Sequence, residues 1–361
     1  MKKLTHKILL IVNIIFAAAL IISYLAVLID PALFSVPALF GLAYPYILLV
    51  NLVIALIWLV ALRPEAIISI IIIAFGYTHL SNYIKLRKPS GDKTGAIKVM
   101  SYNVHLFNNY EGKKPVSSES RITGFIRNEQ PDLICLQEFF FKGNAAQKEQ
   151  LFRRAAGNGY HSHMKVIESG KNRYFGIITL SKFPIVRKGD IVHPGSAGLS
   201  IFTDVVSGRD TIRIYNNHLQ SFRLQRMETN FLSEIADGSG NKGTLSDIRM
   251  ISSSLRKGFA IRAGQARIVK DHINQSPYPV IVAGDFNDTP VSYSYRKLRK
   301  GLHDSFVVSG YGAGFTYRGN YPANRIDYIL YDNHFDCTEF DIVRVRYSDH
   351  YPVVSYLRRG N

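Results

Sequence analysis

Apolar residues crowd the first eighty positions and thin out afterwards. Residues 8–29 (ILLIVNIIFAAALIISYLAVLI) and 38–62 (ALFGLAYPYILLVNLVIALIWLVAL) carry no charge, and residues 64–84 hold only Glu65, near their start. Each run is long enough to cross a bilayer as a helix. Three such runs in succession show no polar face to water, which weighs against buried helices of a soluble protein. The pattern predicts about three transmembrane helices within 1–84, with spans near 8–29, 38–62 and 64–84. Lys2, Lys3 and Lys7 precede the first run and Ala17-Ala18-Ala19 lies inside it, as in a signal peptide. The run continues past the alanines without a polar break, so an uncleaved anchor is the better reading.

Three spans would put Lys2, Lys3, Lys7 and Arg63 on one side and Lys85, Arg87, Lys88, Lys93 and Lys98 on the other. The positive-inside rule is then divided, and the weight of the first helix favours a cytoplasmic N-terminus. The expectation is an integral, multi-pass protein with its large domain on the extracytoplasmic side. Residues 85–96 (KLRKPSGDKTGA) read as a linker, either a solvated tether or a basic stretch against lipid head groups.

From Ile97 the texture changes. Short runs rich in β-branched and aromatic residues predict strands over 97–103 (IKVMSYN), 132–138 (DLICLQE), 174–181, 198–206, 211–219 (TIRIYNNHL), 279–285 (PVIVAGD), 325–331 (RIDYILY), 340–348 (FDIVRVRYS) and 353–357. Helical patterns cover 118–130, with a Ser cap and Pro131 beyond it, and 254–275. Residues 223–250 are polar, contain GSGNKG, and read as a helical insertion or a mobile loop. Strands and helices without strict βαβ alternation predict an α/β domain over 97–361, with packed mixed sheets covered by helices.

The strand ends carry the chemistry. VIVAGDFNDTP (280–290) runs from small and apolar residues into Asp285, Asn287 and Asp288. One such cluster is more often a turn than a site. Yet IKVMSY ends on Asn103, DLICLQ on Glu138, TIRIYNN on His218 and VRVRYS on Asp349 and His350, with Asp327 inside RIDYI. Strands of one sheet system present their C-terminal ends along a shared edge. Together these residues describe an oxygen-rich pocket containing histidine, suited to Mg²⁺ or Mn²⁺ and poorly to zinc.

Charge and cysteines change the picture little. The formal net charge is +17; residues 1–95 hold eight basic and three acidic residues, so about +12 falls on 96–361. That balance favours phosphate-bearing partners, nucleic acid or an anionic membrane surface. Cys135 and Cys337 form no CxxC or Cys/His spacing and no disulfide framework.

In their order along 97–358, SYNV (Asn103), LQE (Glu138), NHL (His218), GDFND (Asp285, Asn287), RIDYI (Asp327) and SDHYPV (Asp349, His350) resemble the endonuclease/exonuclease/phosphatase superfamily. That superfamily includes DNase I-like nucleases, neutral sphingomyelinases and inositol-polyphosphate phosphatases. The resemblance implies a four-layer α/β sandwich with two mixed β-sheets, and phosphate-ester hydrolysis by in-line attack of water with a divalent metal, Mg²⁺ or Mn²⁺. It implies Glu138 as the main metal ligand with Asn103 and Asp349 close by. Asp285 would orient and deprotonate the water, and Asn287 would hold that water or a phosphate oxygen. His218 and His350 would donate hydrogen bonds to the phosphate, with Asp327 pairing to His350.

Weaker candidates are Arg262, on a basic helix that more often presents a solvated face, and Tyr317 and Arg318 in a Gly-rich loop before Asp327. Asp288 reads as a turn cap, and His161 and His163 as surface positions on one strand face. The substrate stays open between nucleic acid and a phospholipid, sphingolipid or inositol-phosphate head group, with membrane lipid as a partner and no obligate protein partner inferred. A catalytically silent membrane-tethered binding module is the alternative; loss of Glu138, Asp285 or either His would have favoured it, and all are present. A transporter is disfavoured, because Glu65 and His79 lie near the ends of their run.

Overall fold

The computed structural model describes all residues except 1–2, 89–90, 110–115, 145–148, 150–151, 154–155, 158, 169–171, 222–244, 320–323 and 361. The described residues form two compact units: 3–83 with 245–264 and 288–297, and 84–221 with 265–287 and 298–360. Most of the predicted insertion over 223–250 lies outside the described residues; 245–250 begin the helix Leu245–Asn274.

The first unit is helical, with Lys3–Leu25, Val36–Leu42, Tyr44–Val60, Ala66–Phe75 and Tyr77–Ser81. The expectation of three spans is corrected here. Lys3–Leu25, at 23 residues, is the one described helix long and apolar enough to cross a bilayer by itself. The second apolar run is bent by 69° between Val36–Leu42 and Tyr44–Val60 and counts as a second span only if that pair is one broken helix. Pro45 sits in the first turn after the bend, where a missing N–H is tolerated. The third run is broken at Gly76 into the 10-residue helix Ala66–Phe75, about 15 Å long, and the 5-residue helix Tyr77–Ser81. The breaks at Ala43-Tyr44-Pro45 and at Gly76 interrupt runs whose composition alone is uniformly apolar.

Polar side chains tie these helices together. Asn13 Nδ2 donates to the Glu65 carbonyl at 3.3 Å, Ser69 Oγ to Asn13 Oδ1 at 2.7 Å, and Asn51 Nδ2 to the Phe16 carbonyl at 3.0 Å. In an apolar surround such bonds fix helix neighbours where hydrophobicity alone does not discriminate. Segment 288–297 belongs to the same unit: Thr289 Oγ1 donates to the Gly41 carbonyl and Arg296 to the Val27 carbonyl, each at 3.3 Å. A Cβ on Gly41 would collide with the Val291 carbonyl, so a side chain is excluded there by close approach.

The second unit is built on two six-stranded sheets. One runs His303–Asp304, Asp327–Tyr331, Val280–Asp285, Asp210–His218, Leu199–Ser207, Ile185–Ile191. The other runs Phe335–Ile342, Val353–Arg359, Ile97–Asn103, Leu133–Lys142, Arg173–Ser181, His161–Glu168. Each is mixed, and in each the central pair alone is parallel: Asp210–His218 with Val280–Asp285, and Ile97–Asn103 with Leu133–Lys142. Val99, Leu133 and Cys135 of one sheet pack with Val205, Ile212, Ile281 and Ile329 of the other. Outside the second sheet, Ile122 and Ile126 of helix Glu119–Glu129 cover Met100, Ile134 and Leu180. Outside the first, His272 packs on Phe202 and bonds to the Tyr215 hydroxyl at 2.9 Å. Helix, sheet, sheet, helix is the predicted layering.

Two edge strands fall outside the apolar runs that predict strands, although His161 and His163 alternate as on one. Ile185–Ile191 (IVRKGDI) exposes Val186, Arg187 and Lys188, the charged dressing of a sheet edge rather than an alternating face. In His161–Glu168, His161 is exposed, but His163 is buried with Nδ1 2.8 Å from Thr203 Oγ1, which corrects its reading as a surface position. The predicted strand 340–348 lies earlier, at Phe335–Ile342, with a register shift between Cys337 and Glu339.

Two stability predictions follow from these contacts. Gly41→Ala should lower stability by on the order of 1–3 kcal/mol in denaturant unfolding of the full chain, as overpacking does. Burial pushes the His163 imidazole down to about 4, helped by Lys188, and burial alone does the same to His193. Above about pH 6.5 both are neutral folded and unfolded; between 6.5 and 4 the unfolded chain takes up protons that the fold refuses. Stability should therefore fall as pH drops through that window, and H163Q/H193Q should flatten the fall in unfolding curves.

Candidate active site

The parallel centre of each sheet aims its strand ends in one direction. His218 and Asp285 are register partners at the end of one parallel pair, and Asp285 faces Asp327 across the next. Asn103 is paired with Gln137 at the end of the other, and Glu138 follows. Gly284 is required where it stands: its φ is +138°, and a Cβ would collide with the Asn217 carbonyl on the neighbouring strand. The Gly of GDFN thus lets two strands close up one residue before Asp285.

Two further site residues hold left-handed backbone. Glu138 has φ +53° at the register shift between Leu136 and Phe139, which redirects its side chain out of the pleat. Asn287 has φ +51°; its N–H donates to Asp285 Oδ1 at 2.7 Å and its Nδ2 to the Leu219 carbonyl at 2.9 Å. Such conformations cost on the order of 1 kcal/mol or more and persist where the surroundings over-determine them. His105, Leu106 and Phe107, just past Asn103, share the left-handed region at φ +44°, +56° and +56°.

The side chains converge. Asn103 Nδ2 donates across the sheets to Asp285 Oδ2 at 2.9 Å. His350 lies between two carboxylates, with Nδ1 2.9 Å from Asp327 Oδ2 and Nε2 3.8 Å from Asp285 Oδ2. His218 Nε2 is 3.0 Å from Glu138 Oε1 and 4.0 Å from Asp285 Oδ2. Asp349 Oδ1 faces His105 Nδ1 at 3.1 Å and His350 Nε2 at 4.0 Å. The Tyr317 ring stands edge-on to His350 with centroids 5.0 Å apart, and Arg318 N–H donates to the Asp349 carbonyl at 2.8 Å.

Burial and charge separate the acids. Burial raises Asp285, the Asp327 charge raises it further, and His350, His218 and Asn103 only partly oppose them, leaving it at about 6. Burial also raises Glu138, but the His218 hydrogen bond and the charges of His218, His105 and His350 more than reverse this and hold it at about 2. Burial lowers His350, and the Asp327 and Asp285 charges override it, lifting it well above the ordinary range. One site therefore holds a firmly ionised carboxylate at its mouth and a carboxylate of raised affinity for protons beneath.

The donor set fits a hard divalent cation. Glu138, His218 and Asp285 offer ligand atoms within 4.8 Å of one another, and Asp285, Asp327 and His350 form a second such group. Ionised oxygen donors with few nitrogens match Mg²⁺ or Mn²⁺. Asn103 and Asp349 lie beside these groups through their bonds to Asp285 and His105.

Seven expected residues, Asn103, Glu138, His218, Asp285, Asn287, Asp327 and His350, come together here, with Asp349, Tyr317 and Arg318 at the rim. Arg262 does not join them. It is fully buried and pairs with Asp288 at 3.3 Å inside the helical unit, neither a solvated face nor a phosphate clamp. Asp288 Oδ1 also accepts the N–H of the next residue, Thr289, at 3.1 Å. Pattern reading missed His105, Ser348, whose Oγ donates to the Asn103 carbonyl, and Gln137, whose Nε2 donates to Asn216 Oδ1 at 2.8 Å. Polar Gln137 and Asn216 in otherwise apolar runs were the available signal.

A family model described as "Endonuclease/Exonuclease/phosphatase family" matches residues 100–350, and one described as a domain of unknown function, DUF8431, matches residues 6–83. No curated protein matches the chain. Among solved structures, an endonuclease/exonuclease/phosphatase from Beutenbergia cavernae is similar at 21% identity and TM-score 0.53, over 73% of this chain and 72% of that one. An endonuclease/exonuclease/phosphatase from Bacteroides vulgatus aligns at 14% identity and TM-score 0.53, over 73% and 99%. Humanized D. rerio TDP2 aligns at 18% identity and TM-score 0.51, over the same shares. At these identities the likeness shows the fold.

Saturating Mg²⁺ or Mn²⁺ should raise the unfolding midpoint of the full chain. At a hundredfold excess over the dissociation constant the gain is about 2.7 kcal/mol. Glu138→Gln should abolish the shift in a thermal melt.

Proposed function

The chain belongs to the endonuclease/exonuclease/phosphatase family, and from that premise we propose that it is a membrane-associated, divalent-metal-dependent phosphoesterase cleaving a phosphodiester or phosphomonoester by in-line water attack. The observation that carries this reading is the Asp285–His350–Asp327 alignment beside the Glu138–His218 pair. A hydrolase needs a proton acceptor next to fixed positive charge, and these residues supply both.

Asp285 is the proton acceptor for the attacking water. Its raised proton affinity suits that task, and Asn103 fixes the oxygen it uses. Asn287 holds the water or a non-bridging phosphate oxygen. His350, oriented by Asp327 through Nδ1, presents Nε2 to a phosphate oxygen and stabilises the charge that builds there. His218 adds a second positive group on the Glu138 side. Glu138, with Asn103 and Asp349 beside it, would hold the cation, which when bound neutralises phosphoryl oxygens and stabilises the leaving oxygen. The bond from phosphorus to the ester oxygen breaks as the bond from water forms. Tyr317 and Arg318 line one wall, where a loop is free to set specificity.

The membrane part of the proposal rests on helix Lys3–Leu25 and on the exposed apolar faces of its neighbours. Leu49, Leu56, Val60 and Phe75 are all exposed, which is costly in water. Both nucleic acid and a phospholipid head group fit the basic charge of the chain.

The full chain, purified in detergent and assayed with Mg²⁺ and Mn²⁺, should cleave members of a panel of DNA, RNA, sphingomyelin, phosphoinositides and chromogenic mono- and diesters. Glu138→Ala, Asp285→Asn and His350→Ala should each lower kcat by about 10²–10⁴-fold. Cleavage that survives chelation, or variants with unaltered kcat, would sink the proposal.

A further inference from the structure

The second unit begins with a short two-stranded ribbon that the proposed chemistry does not use. Ile84–Lys85 pairs antiparallel with Gly312–Ala313, in the register Ile84 to Ala313 and Lys85 to Gly312. Continuing that register sets Leu86 opposite Tyr311. Residues directly opposite in an antiparallel pair share a face, and alternate residues of one strand return to it. Ile84 and Ala313 are thus neighbours on one face of the ribbon, and Leu86 and Tyr311 leave it together at the end beyond Lys85 and Gly312. All four are exposed: Ile84 by 42%, Leu86 by 87% and Tyr311 by 59%, with Ala313 also open to solvent. Arg87 and Lys88 follow directly and are exposed as well.

An aliphatic pair and a tyrosine beside consecutive cations is the composition of a segment that lies in the head-group layer. The apolar side chains enter the acyl boundary, the phenol stays at the polar level, and the cations meet anionic lipid. Chain continuity points the same way, because Ile84 directly follows Tyr83, the last residue of the segment matched as DUF8431 and headed by the candidate span. From Tyr311 the chain reaches the catalytic wall within seven residues. Thr316 Oγ1 accepts the Asp327 N–H at 3.1 Å, Tyr317 bridges to His350, and Arg318 holds the Asp349 carbonyl.

We infer that this ribbon docks on an anionic lipid surface and holds the Tyr311–Arg318 wall of the catalytic cleft at the level of the head groups. The inference rests on the membrane-associated reading above. It makes the lipid surface a part of the enzyme's working geometry rather than only its address.

The test uses the full chain in phosphatidylcholine vesicles with or without phosphatidylglycerol. Leu86→Cys is labelled with an environment-sensitive fluorophore; Cys135 and Cys337 are buried and do not compete. The label should shift to the blue and be quenched about twofold or more by brominated lipid when phosphatidylglycerol is present, and less at high salt. R87E/K88E in the same protein should remove the quenching while leaving hydrolysis of a soluble chromogenic ester unchanged. Alkaline carbonate extraction separates the two readings. Protein stripped from the vesicles overturns the membrane reading and the inference with it. Protein that stays but whose label remains in water in both lipids overturns the inference alone.

Discussion

The candidate site of the second unit depends on a polar seam within a contact between two sheets that is mostly hydrocarbon. Asn103 Nδ2 reaches across to Asp285 Oδ2, and one layer down Gln137 and Asn216 join through their amides, with Asn216 also donating to the Ile178 carbonyl at 2.9 Å. Apolar packing tolerates a slide of one sheet over the other; a buried amide does not. Leaving such a group without its partner costs on the order of 1–3 kcal/mol, so each bond selects one mutual position of the sheets. The seam thereby brings the ends of two parallel strand pairs into one cluster.

That placement explains the electrostatics. Asp285 is dry because it lies between the sheets, and burial together with the charge of its equally dry neighbour Asp327 raises its proton affinity. His350 holds its proton more tightly because it has a carboxylate on each side. Glu138 escapes the same fate because the bulge turns it outward to His218 and to solvent, at 26% side-chain exposure. Similar acids take opposite behaviour from a difference of one backbone turn.

Much of this was legible in the chain. The run 97–103 coincides with the strand Ile97–Asn103, and Asp285, Glu138, His218 and His350 stand out because polar residues end apolar runs. What escaped reading depends on neighbours distant in sequence. Ile185–Ile191 is a strand only because Leu199–Ser207 pairs with it. Arg262 looks like a surface cation until Asp288 is placed against it. The second apolar run reads as a span by composition, but its bend comes from local geometry that composition does not carry. His105 gave no pattern at all, since its place follows from three left-handed residues in a row.

The bond from Ser348 Oγ to the Asn103 carbonyl spans 245 positions, and that from Asn103 to Asp285 spans 182. The last strand, Val353–Arg359, inserts between Phe335–Ile342 and Ile97–Asn103, the first strand of its sheet in chain order. A chain emerging from the ribosome therefore carries an open sheet edge on Ile97–Asn103 until residues 353–359 are made. The loop-closure entropy of so distant a pairing makes the step slow. A chain stalled before residue 350 would retain its apolar N-terminus and all of Glu138, His218 and Asp285, yet would lack both the strand that completes the sheet and His350.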